Sequence, residues 1–403
     1  MSNPVTIGVV ASHIRTLAKR ALARLPKRLS RFGYALLRPA RLGELLDNRP
    51  LALVATHDLS LSGAPRTALD LARALMQTGY QVVAVAMADG PMRTEYEAAG
   101  VVLLIDPIPR RNAHYLRNLA ARAEIALANT VVCAPLVDAW AEQVPVCWYL
   151  HELSLLEHLL KTGQIARPLA AAGRVWAGSE LCAKIVRPYR RDTMVLPYGL
   201  APVAAGTPHN DGFLHVGIFG SIEPRKGQDL AIDGLLRLAP EDRARIKLHF
   251  YGRLLDPAFA KTFLERCDTI TQAEYGGELD QATYRAMLGR MDAILVCSRE
   301  DTAPLVSIDA LSAQRMLLLT RAVGTSAWLK DGEDALIEQE ADAAAMSRLY
   351  ERALAAWPDK TRIGTAARVC FDRTFAWDAF VGRLQEEIAI AREAHSGSSE
   401  KQA

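Results

Sequence analysis

The chain has 403 residues, of which half are hydrophobic and 23% charged, with a formal net charge of +3. That composition is ordinary for a soluble globular protein and excludes a wholly disordered, collagen-like or disulfide-stapled chain. No stretch approaches the roughly 18–20 apolar residues of a membrane span. The six cysteines (Cys133, Cys147, Cys182, Cys267, Cys297, Cys370) are scattered, with no CxxC pair and no Cys/His cluster. Structural zinc is therefore not expected, and free thiols fit a reducing cytoplasm.

The charge is concentrated at the head. Residues 1–50 carry ten Lys/Arg against Glu44 and Asp47, which makes this segment +8. Ile14, Leu17, Ala18, Ala21, Leu22, Leu25, Leu29 and Phe32 recur at spacings of three and four, one side of a helix. Arg15, Lys19, Arg20, Arg24 and Lys27 mostly fill the other side, and Pro26 kinks or splits the helix. Two readings of residues 13–32 stand together. The helix lies in the headgroup region of an anionic membrane, or it packs on the main body with its charged face in water. A secretory signal is disfavoured: Val5–Ala11 is short and no basic residue precedes it. No aromatic-rich basic motif points to a nucleic-acid partner.

From residue 50 the pattern is strand, turn, helix, repeated. Strands are expected at Leu51–Thr56, Gln81–Ala86, Val101–Ile105, Ile125–Ala128 and Val144–Leu150, with short ones near Val175 and Met194–Leu196. Helical periodicity fills the gaps, as in Ala64–Met76 and Glu180–Val186. The Gly/Pro/Ala-rich segment Gly199–Gly212 reads as an interdomain linker. Alternation resumes with strands at Leu214–Phe219, Ile246–Tyr251, Ala293–Cys297 and Met316–Leu319. Helices follow at Ala341–Ala356, Lys360–Phe371 and Trp377–Ala394, and the polar tail HSGSSEKQA reads as disordered. The fold class is α/β: two doubly wound units of similar size facing a cleft, with ligands bound beyond the carboxyl ends of the strands.

Four segments can carry chemistry. Phe219-Gly220-Ser221-Ile222-Glu223-Pro224-Arg225-Lys226-Gly227-Gln228-Asp229 follows the first strand of the second unit and opens a helix. A tight turn at Gly220, a helix N-terminus and two cations make a diphosphate site, though the spacing is neither a Walker loop nor GxGxxG. Ser298 to Leu311 crowds Glu300, Asp301 and Asp309 at a strand-to-helix junction. Asp301 reads equally as an N-cap and Asp309 as a surface acid. Functionally, carboxylates accept paired hydrogen bonds from sugar or ribose hydroxyls, and the amides of Leu305 and Val306 face an anion. Ser62-Gly63-Ala64-Pro65 is a turn into a helix that lets backbone approach a ligand, or an ordinary helix start. Trp148-Tyr149-Leu150-His151-Glu152 puts a histidine at a strand end, pointing into the cleft or held structurally.

Together these segments resemble the retaining glycosyltransferases of family 4, the group 1 transferases of GT-B fold, over about residues 50–390. The resemblance rests on Ser62-Gly63-Ala64, on Asp89-Gly90-Pro91 with the following MRTEYEAAG, and on Asn129 with His151-Glu152. It continues in Gly178-Ser179-Glu180, in Leu196-Pro197-Tyr198-Gly199, and in Arg225-Lys226-Gly227-Gln228-Asp229. Ser298 to Leu311 matches the family's paired-acid motif, and Gly324-Thr325-Ser326 follows at the expected place. The chain departs from the family at four positions, one of them Tyr198 in place of the usual asparagine. Asp301 and Asp309 stand where the family has glutamates, with Glu300 an alternative for the first in a shifted register. Ser221 stands where an arginine is common.

The resemblance implies a retaining transfer of sugar from a nucleotide diphosphate sugar to a hydroxyl acceptor. Lys226 and Arg225 would stabilise the departing diphosphate, helped by amides near Leu305, Val306 and Gly63. Asp309 would hold ribose hydroxyls, Asp301 the donor sugar, and His151 would lie beside the reacting carbon. His151, Arg225, Lys226 and Asp301 are thus the catalytic candidates; Gly63, Ala64, Gly220, Ser221, Glu300, Leu305, Val306 and Asp309 are the donor-binding ones. No DxD motif appears, and neither metal nor cofactor is expected. The domains implied are a basic extension over 1–49, an acceptor domain over 50–205 and a nucleotide-sugar domain over 206–372. A helix over 373–395 crosses back to the acceptor domain, and a flexible tail covers 396–403. A lipid-linked saccharide acceptor gives the basic head a role at the cytoplasmic leaflet. The competing readings are a GT-B nucleotide-sugar epimerase and a non-catalytic glycosyltransferase-like binding subunit.

Overall fold

Aliphatic and β-branched runs become the strands of two parallel sheets. The structure is a computed structural model that describes residues 46–400, with side chains through 397. The expected basic helix over residues 13–32 lies outside the described residues, as do residues 401–403.

The first sheet has seven strands: β1 (Leu51–Thr56), β2 (Gln81–Ala86), β3 (Val102–Ile105), β4 (Ile125–Asn129), β5 (Val146–Leu150), β6 (Arg174–Ala177) and β7 (Met194–Val195). Their order is β3-β2-β1-β4-β5-β6-β7. Every residue of β1, β2, β4 and β5 is buried, as both faces of a parallel sheet require. The strand order reverses between β1 and β4, which pair in parallel from Ala52↔Ile125 to Ala55↔Ala128. That switch point opens a crevice at the strands' carboxyl ends.

The second sheet has six strands: β8 (Leu214–Phe219), β9 (Ile246–Tyr251), β10 (Ala273–Tyr275), β11 (Ala293–Val296), β12 (Met316–Thr320) and β13 (Leu336–Glu338), ordered β10-β9-β8-β11-β12-β13. Its switch point falls between β8 and β11. Leu214, Val216, Ile218, Leu248, Phe250 and Leu295 form its core with Ile232, Leu235, Met346 and Leu349 from the covering helices. The Tyr350 hydroxyl donates to the Ala231 carbonyl at 3.0 Å and joins two of those helices.

The chain divides into two compact units. One holds the described residues through Ala177, Ile185–Met194, and Leu384 onward; the other holds Gly178–Lys184 and Val195–Arg383. The Gly199–Gly212 segment therefore lies wholly in the second unit, and the passage between units falls at Val195, ahead of the expected boundary at 205/206. The segment is pinned rather than loose. Val203 N donates to Ser312 Oγ at 3.0 Å, and Arg315 Nη2 donates to the Gly206 carbonyl at 2.7 Å. The final helix, Trp377–Glu400, begins in the second unit and ends in the first. Glu387 fixes it there, accepting from Arg174 Nη2 at 2.8 Å and Trp176 Nε1 at 2.9 Å. This helix runs on through His395-Ser396-Gly397-Ser398-Ser399-Glu400, where composition predicts disorder. Among the described residues, no helix is long and apolar enough to cross a membrane.

Candidate active site

In the first unit, the loops after β1, β4 and β5 meet at the switch point. Asn129 ends β4; its Nδ2 donates to the Ala64 carbonyl at 2.8 Å, in the first turn of the helix Gly63–Gln77. That bond turns Asn129 Oδ1 toward His151 Nε2, 2.5 Å away. Oδ1 can only accept, so Nε2 carries the proton. Burial pushes the His151 pKa down to about 3, with His57 nearby acting in the same sense. His151 is thus a neutral imidazole of fixed tautomer, its ring 4.2 Å from that of Tyr149.

Thr130 supports this arrangement at a cost. It holds φ 81°, ψ 155°, a conformation that strains a β-branched residue. Its N–H donates to the Tyr149 carbonyl at 2.9 Å, and its carbonyl accepts from Trp148 Nε1 at 2.8 Å. Glu152 completes the clamp by accepting from the N–H groups of Val131 and His151, each at 3.1 Å. Burial raises the Glu152 pKa while those amides oppose it. Ala64 and His151 are thus drawn into one hydrogen-bonded frame by Asn129, with Gly63 next to Ala64 at the start of the helix.

In the second unit, Gly220 to Gly227 leads from β8 to the helix Gln228–Arg237, and Ser298 to Asp301 leads out of β11. Pairing of β8 with β11 makes these loops neighbours across 75 residues. Lys226 Nζ donates to Asp301 Oδ2 at 2.6 Å, Arg225 Nη1 stands 3.7 Å from the same oxygen, and Ser298 Oγ donates to it at 3.2 Å. Burial pushes the Asp301 pKa up, but Lys226 and then Arg225 outweigh it and hold the carboxyl below its ordinary value. Asp301 is itself fixed: its N–H donates to the Ala322 carbonyl at 3.1 Å.

The loop geometry demands glycine at two points. Gly227 caps the short turn Pro224–Lys226 at φ 71°, and a Cβ there would lie 2.1 Å from the Cys297 carbonyl oxygen. Gly252, after β9, has φ 147°, and its Cβ would lie 2.0 Å from the Gly220 oxygen. Backbone from two strand ends is thereby brought into contact beside the cations.

The remaining predicted residues divide. The Ser221 hydroxyl donates to Glu223 Oε1 at 2.9 Å, and Arg225 Nη2 reaches that same oxygen at 3.0 Å. The Glu300 carbonyl accepts from Arg225 at 3.4 Å. Leu305 and Val306 begin the helix Leu305–Ser312, where the first amides have no intrahelical acceptor. Asp309 is buried in that helix, and Tyr284 donates to its Oδ2 at 2.7 Å. Glu223 and Ser298 had no expected role, and Tyr284 lies outside every motif. Among the described residues, no group of three or more His, Cys, Asp or Glu is placed to hold a metal ion.

Two sequence families match the chain: Glycosyl-transferase family 4 over residues 49–159 and Glycosyl transferases group 1 over residues 205–369. The chain belongs to the group 1 glycosyltransferases. No curated protein sequence matches it. Among solved structures, HepE of Anabaena in complex with UDP has a TM-score of 0.72 at 15% identity, covering 84% of this chain and 99% of that chain. Sucrose-phosphate synthase of Thermosynechococcus elongatus has a TM-score of 0.67 at 15% identity, covering 85% of this chain and 100% of that one. The lipopolysaccharide outer core galactosyltransferase WaaB, in its apo form, has a TM-score of 0.64 at 12% identity, covering 84% and 99%. At these identities the likeness is one of fold. This glycosyltransferase has the GT-B fold of two Rossmann-like domains.

Proposed function

We propose that this glycosyltransferase moves a sugar from a nucleoside-diphosphate sugar to a hydroxyl acceptor, with retention at the anomeric carbon and without a metal. The observation that carries the reading is the convergence of Lys226 and Arg225 on one carboxylate oxygen of Asp301. Two cations at a strand end form a diphosphate site in which Asp301 now holds an anion's place, with the first amides of Leu305–Ser312 as further donors. The structures of Anabaena HepE with UDP and with UDP-glucose agree with such a donor.

In the reaction, the bond from the anomeric carbon to the phosphate oxygen breaks and its electrons pass to that oxygen. The acceptor oxygen bonds to the anomeric carbon, and the acceptor's proton passes to the departing phosphate. Lys226 and Arg225 stabilise the charge gathering on the diphosphate, the part a metal plays elsewhere. His151, neutral across the physiological range, lies beside the donor sugar without repelling an oxocarbenium-like centre. Asp301 contacts the sugar hydroxyls and Asp309 the ribose. The acceptor is bound chiefly by the first unit. A lipid-linked or surface-polysaccharide saccharide fits the basic head, which would hold the enzyme at an anionic cytoplasmic surface.

Thermal unfolding with UDP, GDP, ADP and dTDP, beside Lys226→Ala, tests the donor site. At 100 times its dissociation constant, a ligand of the folded state adds about 2.7 kcal/mol. One nucleotide is expected to stabilise the wild type and not the variant. The anomeric configuration of the product, read by NMR, tests retention. Liposome flotation of the whole chain against one starting near residue 48 tests the head; equal flotation removes the membrane role.

The non-catalytic reading draws on one observation: the Ser221 hydroxyl and Arg225 are both engaged by Glu223. It predicts nucleotide binding without turnover, or no nucleotide binding at all.

A further inference from the structure

Asp309 is one methylene shorter than the glutamate it replaces, which withdraws its carboxylate by about 1.5 Å, one carbon–carbon bond. The structure supplies a counterpart. Tyr284, on the helix Gln281–Arg290, donates its hydroxyl to Asp309 Oδ2 at 2.7 Å. A hydrogen bond to an ionised carboxylate is short and strong, and it fixes the carboxylate's rotation. Tyr284 is itself held. Its ring meets Phe219 edge-on at 5.4 Å, and Phe219 stacks on Tyr251 at 5.1 Å. Phe219 is the last residue of β8 and Tyr251 the last of β9, the residues just before Gly220 and Gly252. A rigid aromatic row thus runs from the two glycine turns to the Asp309 carboxylate.

We propose that Tyr284 is a positioning residue for the ribose of the donor: its hydroxyl holds Asp309 in the orientation that accepts the ribose diol. A carboxylate offers about four lone-pair sites, so accepting from Tyr284 does not exhaust its capacity for the diol. The inference rests on the donor-site reading above.

The test uses the full chain and equilibrium titration with the nucleoside diphosphate that stabilises the wild type (UDP, GDP, ADP or dTDP) and with its 2′,3′-dideoxy form. Tyr284→Phe keeps the ring against Phe219 and removes only the hydroxyl. It is expected to weaken the ribonucleotide about tenfold, the scale of one hydrogen bond to a charged group, and the dideoxy form less than twofold. In an Asp309→Ala background, Tyr284→Phe is expected to change neither affinity. Unchanged ribonucleotide affinity in Tyr284→Phe, or equal weakening of both nucleotides, overturns the role of Tyr284 while leaving the donor site standing. A wild type that binds none of the four nucleotides overturns the donor-site reading and this inference with it.

Discussion

Removing Lys226 should cost stability as well as donor binding. The side chains of Lys226 and Asp301 are 19% and 12% exposed, so the pair is mostly withdrawn from water. Breaking a buried pair from one side typically costs about 3–5 kcal/mol, because the remaining charge is stranded. Here Arg225 at 3.7 Å and Ser298 at 3.2 Å stay with the carboxylate, which reduces the loss to about 2 kcal/mol. In the wild type the Asp301 pKa lies below its ordinary value. Its stabilising contribution is therefore full above the unfolded pKa and is lost as pH falls through the lower folded one. In Lys226→Met the largest influence opposing burial is gone, and the folded pKa rises relative to the wild type. The variant's deficit is then full well above both folded pKa values and fades as the pH falls through the variant's folded pKa toward the wild type's lower one. Asp301→Asn in that background should recover about 1 kcal/mol or more, since no charge is left to strand. Urea denaturation at pH 7, read as a midpoint shift at constant slope, measures all four corners of the cycle. Equal stability of wild type and Lys226→Met, or a double variant no better than the single one, would refute the argument.

Other outcomes follow from the same geometry. Gly252→Ala should lose about 3 kcal/mol or more, from an unfavourable φ and a Cβ 2.0 Å from the Gly220 oxygen. Gly63→Ala has open space around its Cβ and should hold stability within about 0.5 kcal/mol, while transfer falls at least tenfold if donor approaches that backbone; unchanged turnover removes Gly63 from the site. His151, with its folded pKa near 3 against an ordinary 6.5, binds its proton more weakly folded than unfolded, so stability is full above pH 6.5 and declines as pH falls toward 3. Between pH 7 and 5 the loss is about 2 kcal/mol from this residue alone, and burial of His57, His209 and His249 acts in the same direction. Urea midpoints at pH 7, 6 and 5 should show a shallower acid decline in His151→Asn; an identical decline contradicts the buried neutral state.

Strands whose residues are buried on both faces were legible, because a continuous apolar run leaves little choice. Leu51–Thr56, Gln81–Ala86, Leu214–Phe219 and Ile246–Tyr251 form over the expected residues. Ala273–Tyr275 and Leu336–Glu338 were not foreseen. Each has three residues, includes a glutamate and pairs on one side only at a sheet edge, so neither length nor pattern announces it. The motifs named Lys226 and Asp301, but their contact is a product of topology: β8 and β11 pair although 73 residues separate the end of one from the start of the other. Tyr284 carried no signal. Its helix is polar and presents no apolar stripe, and the bond to Asp309 spans two elements that sequence spacing does not relate.

The two shortened acids share a physical feature. Each stands where the family has a glutamate, and each is met by a donor from another element: Asp301 by Lys226 and Asp309 by Tyr284. A buried carboxylate without such partners would carry an uncompensated desolvation cost. With them, each acid is held at its shorter reach by a bond of 2.6 or 2.7 Å. Lengthening either side chain back to glutamate therefore does not restore the family's geometry. The added methylene drives the carboxylate into the group that now holds it, and the strain of overpacking, typically about 1–3 kcal/mol, falls on the site itself. The substitutions and their partners form one arrangement, and any replacement at Asp301 or Asp309 has to be read together with Lys226 or Tyr284.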